Sequence, residues 1–208
     1  ILSALAIGGL VLGIHEGPDK GWTDSLTLVG LIVGVGALAA FIVWELRADH
    51  PLFQIRLFRD RHLATGSLTL LLVFGVMFGI FLVLVQFLHA VAGYSALSAA
   101  AGLLPMALVM MPLSAVAPTI AVKFGLRRTL IVGASLFGAG LVILALMVSA
   151  EGGYWSILPG LLVLAFGIGL LMSPSTTSIT EALPEEQQGV ASALNDTVRE
   201  LGGAVGIA

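Results

Sequence analysis

The residues best suited to chemistry lie near the end of the chain, in the stretch SALNDTVRELGGAVGIA. Asp196, Arg199 and Glu200 are spaced there by three and four residues, so on a helix Asp196 shares one face with the other two. Two carboxylates and a guanidinium can bind a proton or exchange partners in an ion pair. Arg199 can pair with either acid or with a carboxylate elsewhere, and the solvent around the helix decides how strongly.

Other polar side chains interrupt long apolar segments. Gln86 stands in LVQFLH, and a run of hydroxyls in MSPSTTSIT includes Ser173, Ser175 and Thr176. Serine and threonine hydroxyls can bond to carbonyls of the preceding turn of their own helix. The run is therefore open to two interpretations, helix packing and the lining of a binding cavity.

Signatures of catalysis are missing from the sequence. It contains no phosphate-binding loop of the form G-x-x-x-x-G-K-[ST], no cysteine and no pair of histidines four residues apart. No Ser/His/Asp arrangement points to a membrane-embedded enzyme. We therefore expect no enzyme activity, no metal site and no cofactor, and a role in transport, as a channel or in membrane structure.

The composition indicates that the solvent is lipid. Hydrophobic residues make up 58% and charged residues 10% of the 208 residues, with a mean hydropathy of +1.09, whereas about 25% of residues in soluble domains are charged. Five uncharged runs reach or exceed the roughly 20 residues that a helix needs to cross a bilayer: 25–44, 63–88, 90–122, 129–150 and 152–180. The sequence therefore predicts an all-α, polytopic transmembrane bundle.

Two further apolar runs, residues 1–14 and 201–208, are cut short by the ends of the sequence. We therefore expect a fragment with about five complete and two partial spans. The predicted spans are residues 1–14, 25–44, 64–88, 97–122, 129–150 and 157–183, followed by the beginning of a seventh.

Basic residues fall almost entirely into every second connection between these spans, with Lys20 as the exception. By the positive-inside rule those connections are cytoplasmic, which predicts a multi-pass protein of the cytoplasmic membrane. The longest of them, residues 45–62, alternates apolar and basic side chains and is either an interfacial segment or a solvated linker.

A charge that faces lipid near the bilayer centre costs about 2.5–3.5 kcal/mol. The face that carries Asp196 and Arg199 is therefore predicted to line a water-filled vestibule or to sit at the inner boundary of the membrane. The alternative is the start of an amphipathic helix at the cytoplasmic surface.

Most of the 26 glycines lie inside the apolar runs, where small residues permit close contact between helices. Pairs at a spacing of four residues predict such contacts at Gly9/Gly13, Gly30/Gly34, Gly75/Gly79 and Gly202/Gly206.

Several short stretches form a recognisable combination: GVASALNDTVRELGGA at 189–204, QFL at 86–88, GYSAL at 93–97, GLLP at 102–105 and the link at 47–58. Together they resemble the fourteen-span drug:proton antiporters of the major facilitator superfamily, the EmrB/QacA type. The resemblance implies that residues 1–46 are two extra linker helices, 47–63 a cytoplasmic link, and 64–208 part of the C-terminal six-helix bundle, truncated in its fifth helix. The N-terminal helical half of the same protein would then be missing from this chain.

The resemblance also implies a proton-coupled antiporter that exports amphiphilic or cationic drugs, with the proton gradient as its energy source and with no nucleic-acid partner. Asp196, Arg199 and Glu200 are predicted to couple transport to proton occupancy. The alternatives are a dedicated metabolite exporter and a membrane sensor or scaffold that transports nothing. The predicted substrate-cavity residues are Gln86, Ser173, Ser175, Thr176 and Asn195.

The connection KFGLRR resembles the second-half copy of the cytoplasmic gating motif of this family, which makes Lys123, Arg127 and Arg128 the predicted gate. The sequence departs from the motif at Ala121 and Val122, where an acidic residue often precedes the basic one. This departure argues against a charge relay through that acid, while the basic residues remain able to pair with helix C-termini.

Overall fold

The computed structural model describes residues 1–47, 60–149 and 151–207. Every regular element in these ranges is helical and none is a strand, which confirms the predicted all-α fold. A π-helical turn, Phe87–Val91, continues α3, and a 3-10 turn, Glu185–Gln187, precedes α8. The α-helices in the described ranges are α1 (Leu2–Lys20), α2 (Ser25–Arg47), α3 (Arg61–Gln86), α4 (Ala96–Ala101), α5 (Leu104–Phe124), α6 (Leu126–Met147), α7 (Gly153–Glu181) and α8 (Gln188–Ile207).

Five helical segments in the described part of the chain are long and apolar enough to cross a bilayer, as the sequence predicts. Large apolar side chains on them are open to the surroundings, for example Ile32 in α2 and Leu108 in α5. Such surfaces are favourable when the surrounding medium is hydrocarbon. The segments are Ser25–Arg47, Arg61–Val91, Ala96–Phe124, Leu126–Met147 and Gly153–Glu181.

The first helix is longer than predicted, because α1 continues beyond residue 14 to Lys20. Its last turn carries an ion pair in which Lys20 Nζ lies 2.7 Å from Glu16 Oε2. The hydrogen bond to Glu16 raises the pKa of Lys20 above its ordinary value. Gly21, with a φ of 96°, then ends the helix and donates its N–H to the Gly17 carbonyl. Polar residues therefore extend α1 past its apolar run.

The predicted span at 97–122 is divided into two helices. α4 ends at Ala101 and α5 begins at Leu104, with Pro105 in its first turn. Proline is favourable at a helix start because it has no N–H to donate, and it disrupts a helix that tries to continue through it. The hydroxyl of Tyr154 donates to the Gly102 carbonyl at 2.8 Å, so this carbonyl at the break has a partner.

Three helices in the described ranges begin next to side chains that accept backbone hydrogen bonds. Asp24 accepts from Leu26 N at 2.9 Å before α2, and Asp60 accepts from His62 N at 2.7 Å before α3. Ser95 Oγ accepts from Ser98 N at the start of α4. These caps satisfy amide groups that have no partner within the helix.

The predicted cytoplasmic link lies mostly outside the described residues. Its positions 48–59, with the alternating apolar and basic side chains and most of the motif at 47–58, belong to the undescribed part.

The chain divides into two compact units, Ile1–Gly79 with Ile179–Ala208, and Ile80–Ser178. In the first unit α1 and α2 form an antiparallel hairpin, with Gly9 against Gly34 and Gly13 against Gly30. In the second unit α6 packs on α7 in the same manner, with Gly140 against the backbone of Leu164. Missing side chains allow the backbones to approach in both units.

Candidate functional site

In the first unit, α8 packs along the N-terminal part of α3 through a seam of glycines. A methyl group on Gly75 would lie 3.1 Å from the Gly202 carbonyl oxygen, and one on Gly79 would lie 2.5 Å from that of Gly206. The spacing between the contacts is four residues in both helices, so the two run parallel here. The predicted glycine pairs therefore meet each other.

One side of this seam is filled by apolar side chains. Leu63 and Leu70 of α3 pack with Ala191 and Val198 of α8, and Ile179 and Leu183 complete a cluster of buried residues. Ala191 and Val198 are seven residues apart and therefore share a helix face. This face fixes the rotation of α8 and turns its charged residues away from the cluster.

The charged residues of α8 lie on a cavity of about 410 Å³, whose volume is within the usual range for ligand pockets. Asp196, Arg199 and Glu200 all line it, so the structure brings together the three residues that sequence spacing groups on one face. Phe74 and Phe78 of α3 form part of the lining, together with Gly203, Ala204 and Ile207.

Arg199 contacts an aromatic ring inside this cavity. Its guanidinium carbon lies 5.2 Å from the centroid of the Phe74 ring, within the range of a cation–π interaction. The Phe74 and Phe78 rings are stacked, with centroids 6.3 Å apart and planes inclined by 28°. Sequence reasoning had named only carboxylate partners for Arg199 and missed both phenylalanines. Their spacing of four residues was the available signal.

Asn195 is placed differently from its charged neighbours. Its side chain is only 8% exposed, and it does not belong to the lining of the α3–α8 cavity. Within residues 1–47, 60–149 and 151–207, its Oδ1 atom has no hydrogen-bond partner. The structure therefore places this predicted substrate-cavity residue in a packed environment.

The other predicted cavity residues belong to the second unit. Gln86 is exposed at the end of α3, and Ser173 is half-buried in α7. Thr176 Oγ1 donates to the Met172 carbonyl of its own helix at 3.0 Å. This bond is the one expected if the hydroxyl run serves helix packing. Ser175 is fully buried, and its Oγ has no partner in the described part of the chain.

The predicted gate residues flank the turn between α5 and α6. Gly125, with a φ of 94°, separates the two helices. Lys123 is exposed in the last turn of α5, where the helix dipole favours a cation, and its Nζ lies 5.5 Å from the Phe124 ring centroid. Arg127 and Arg128 are exposed in the first turn of α6. They therefore lie at the N-terminus of their own helix, whereas the expected pairing of these cations was with a helix C-terminus.

Comparisons with known proteins agree with this architecture. A family model described as Major Facilitator Superfamily matches residues 1–207. Multidrug resistance protein Stp of Mycobacterium tuberculosis is 31% identical over 208 residues, which cover 100% of this chain and 38% of Stp. Multidrug export protein EmrB of Escherichia coli is 28% identical over 218 residues, which cover 99% of this chain and 40% of EmrB.

The uncharacterized MFS-type transporter YhcA of Bacillus subtilis is 30% identical over 207 residues, which cover 99% of this chain and 38% of YhcA. The chain thus spans about two fifths of the length of the curated relatives it matches.

Proposed function

Because the chain belongs to the major facilitator superfamily and is a multi-pass membrane protein, we propose that it forms part of a proton-coupled antiporter. This transporter exports amphiphilic or cationic small molecules across the cytoplasmic membrane. It performs no covalent chemistry and needs no cofactor, since the proton gradient supplies the energy. The names of two relatives, which refer to multidrug resistance and multidrug export, support the drug class.

The observation that carries this proposal is the α3–α8 cavity, where Asp196, Arg199 and Glu200 meet in a chain with few charged residues. Protonation of either carboxylate removes one negative charge from the cavity and weakens its attraction for a cation. Proton uptake and release of a cationic substrate are thereby linked at one place. An antiporter requires this linkage, because it must exchange a proton for a substrate cation.

The greater length of the relatives supports a second half of the transporter outside this chain. In the proposal this N-terminal helical half pairs with the present helices, and substrate binds near the bilayer midplane where the halves meet. Lys123, Arg127 and Arg128 hold the cytoplasmic gate. The residues of the second unit that line the substrate path from this side are Gln86, Ser173, Ser175 and Thr176.

Transport in proteoliposomes with an imposed pH gradient tests the proposal. The intact transporter should accumulate a cationic dye against its gradient, and Asp196→Asn combined with Glu200→Gln should abolish the dependence on pH. Glu185→Gln, which alters an exposed carboxylate in the 3-10 turn, serves as the control. A protein that moves no dye with or without the gradient would be a sensor or scaffold, and the proposal would be wrong.

A further inference from the structure

We infer that Phe74, Phe78, Asp196 and Glu200 form a binding site for a lipophilic organic cation, and that Arg199 occupies this site as a built-in competitor. The inference rests on the proposed function only in taking the cation to be the exported substrate. It adds the residues of the site and the mechanism by which the site is kept filled.

The aromatic part of the site already binds a cation in the structure. The guanidinium of Arg199 lies over the Phe74 ring at 5.2 Å, which is the arrangement that an organic cation would adopt on the same ring. Phe78, stacked beside it, is 41% exposed and extends the aromatic surface. Phe74 is held from behind because it packs against the buried cluster of α3 and α8.

The charge of the lining favours a cation over an anion. When all three groups are ionised, two carboxylates and one guanidinium leave a net charge of −1 on a cavity of about 410 Å³. A monovalent cation neutralises this charge. The apolar part of the lining, Gly203, Ala204 and Ile207, selects a cation with substantial hydrocarbon surface.

Binding in this arrangement is an exchange of one cation for another on the Phe74 ring. Arg199 has a long side chain, and Asp196 and Glu200 lie three residues before it and directly after it on the same cavity. When the ligand displaces the guanidinium from the ring, the carboxylate of Asp196, three residues earlier on the helix, remains within its reach. The site therefore keeps its aromatic surface covered by a cation in both states.

Equilibrium binding of tetraphenylphosphonium to the intact, detergent-solubilised transporter tests the inference. Arg199→Gln should increase the affinity for this cation by about two- to thirtyfold, the range that corresponds to a cation–π contact. Phe74→Leu and Phe78→Leu should each decrease it by a factor within the same range. Tetraphenylborate, an anion of matching size and shape, should bind more weakly after Arg199→Gln. Unchanged or reduced affinity for tetraphenylphosphonium in Arg199→Gln would overturn the inference.

Two further measurements separate occupation of the ring from a general effect of charge. Arg61→Gln removes an exposed positive charge outside the lining, and Phe166→Leu removes an exposed ring from α7, so both should bind like the parent protein. In the Phe74→Leu background, Arg199→Gln should gain less affinity than in the parent. An equal gain in both backgrounds would mean that Arg199 acts through its charge alone and would contradict the competitor role.

Failure of the inference and failure of the proposed function give different results. Binding with the expected variant pattern but without transport in proteoliposomes would preserve the site and refute the antiporter. If the protein transports but all variants bind tetraphenylphosphonium with the same affinity, the antiporter is preserved and the site is refuted.

Discussion

Gly79 in α3 lies so close to Gly206 in α8 that a methyl group on Gly79 would stand 2.5 Å from the Gly206 carbonyl oxygen. One helical turn earlier, Gly75 and Gly202 repeat the contact. This parallel seam brings the phenylalanines of α3 next to the charged residues of α8, so the candidate site depends on glycines that perform no chemistry themselves.

The seam predicts an unusual sensitivity to alanine. Gly202→Ala should lower the free energy of unfolding by about 1–3 kcal/mol, because the new methyl group overlaps the Leu71 carbonyl oxygen. Gly189→Ala in the same helix has no atom within 4 Å of the new methyl group and should be neutral or stabilising by about 0.5–1 kcal/mol. Thermal unfolding in detergent checks the pair, and equal melting temperatures would contradict a tight seam.

The register of the α1–α2 hairpin predicts a specific cross-link. Contacts of Gly9 with Gly34 and of Gly13 with Gly30 place Ala6 opposite Ala37, and both alanines are buried. Because the chain has no cysteine of its own, Ala6→Cys with Ala37→Cys should form a disulfide on mild oxidation. Ala6→Cys with Ala39→Cys, whose second site is exposed, should not. A mobility shift on non-reducing gels distinguishes them, and the reverse pattern would exclude this register.

Removal of the Ser175 hydroxyl and removal of the Thr176 hydroxyl, both in α7, should have different effects on stability and on efflux. Ser175→Ala should leave stability unchanged or slightly raised, since Oγ is buried without a described partner, but should reduce efflux if the hydroxyl contacts substrate as proposed. Thr176→Val removes a bond to the Met172 carbonyl and should change stability by less than about 1 kcal/mol. Dye efflux measured at matched expression tests both, and full efflux by Ser175→Ala would remove Ser175 from the substrate path.

The break between α4 and α5 should depend on one hydroxyl. Tyr154→Phe deletes the hydrogen bond to the Gly102 carbonyl and should destabilise the protein by about 0.5–1.5 kcal/mol. Trp155→Phe, at the exposed neighbouring position, is the control and should have little effect. Protease accessibility of the segment near Gly102 reports the local change. Identical digestion of Tyr154→Phe and the parent would show that the bond does not hold the break.

Much of the architecture could be predicted without coordinates. The five membrane spans follow from uncharged runs of sufficient length, and the observed helices match them. The ends of helices were less predictable: α1 continues past its apolar run to Lys20, which pairs with Glu16 in the last turn, and the span at 97–122 is divided at Gly102 and Leu103. Ends depend on single hydrogen bonds and caps, whereas a span depends on the sum over about twenty residues.

The candidate site was predictable only in part. Spacing along one helix placed Asp196, Arg199 and Glu200 on a common face, which needs no knowledge of other helices. The same reasoning put Asn195 in a cavity, although the structure buries it, and overlooked Phe74 as the surface beneath Arg199. In an apolar span every face looks alike, so the sequence pattern does not reveal which side of α3 meets α8.

The sequence by itself thus determined the solvent, the helical class and the number of spans, because hydropathy and helix length are properties that add up locally along the chain. Tertiary structure alone decided which glycine pairs meet, which aromatic rings line the cavity and which polar side chain is buried. These outcomes depend on how helices distant in sequence rotate and slide against each other, and that is set by backbone contact at a few small residues such as Gly75 and Gly202.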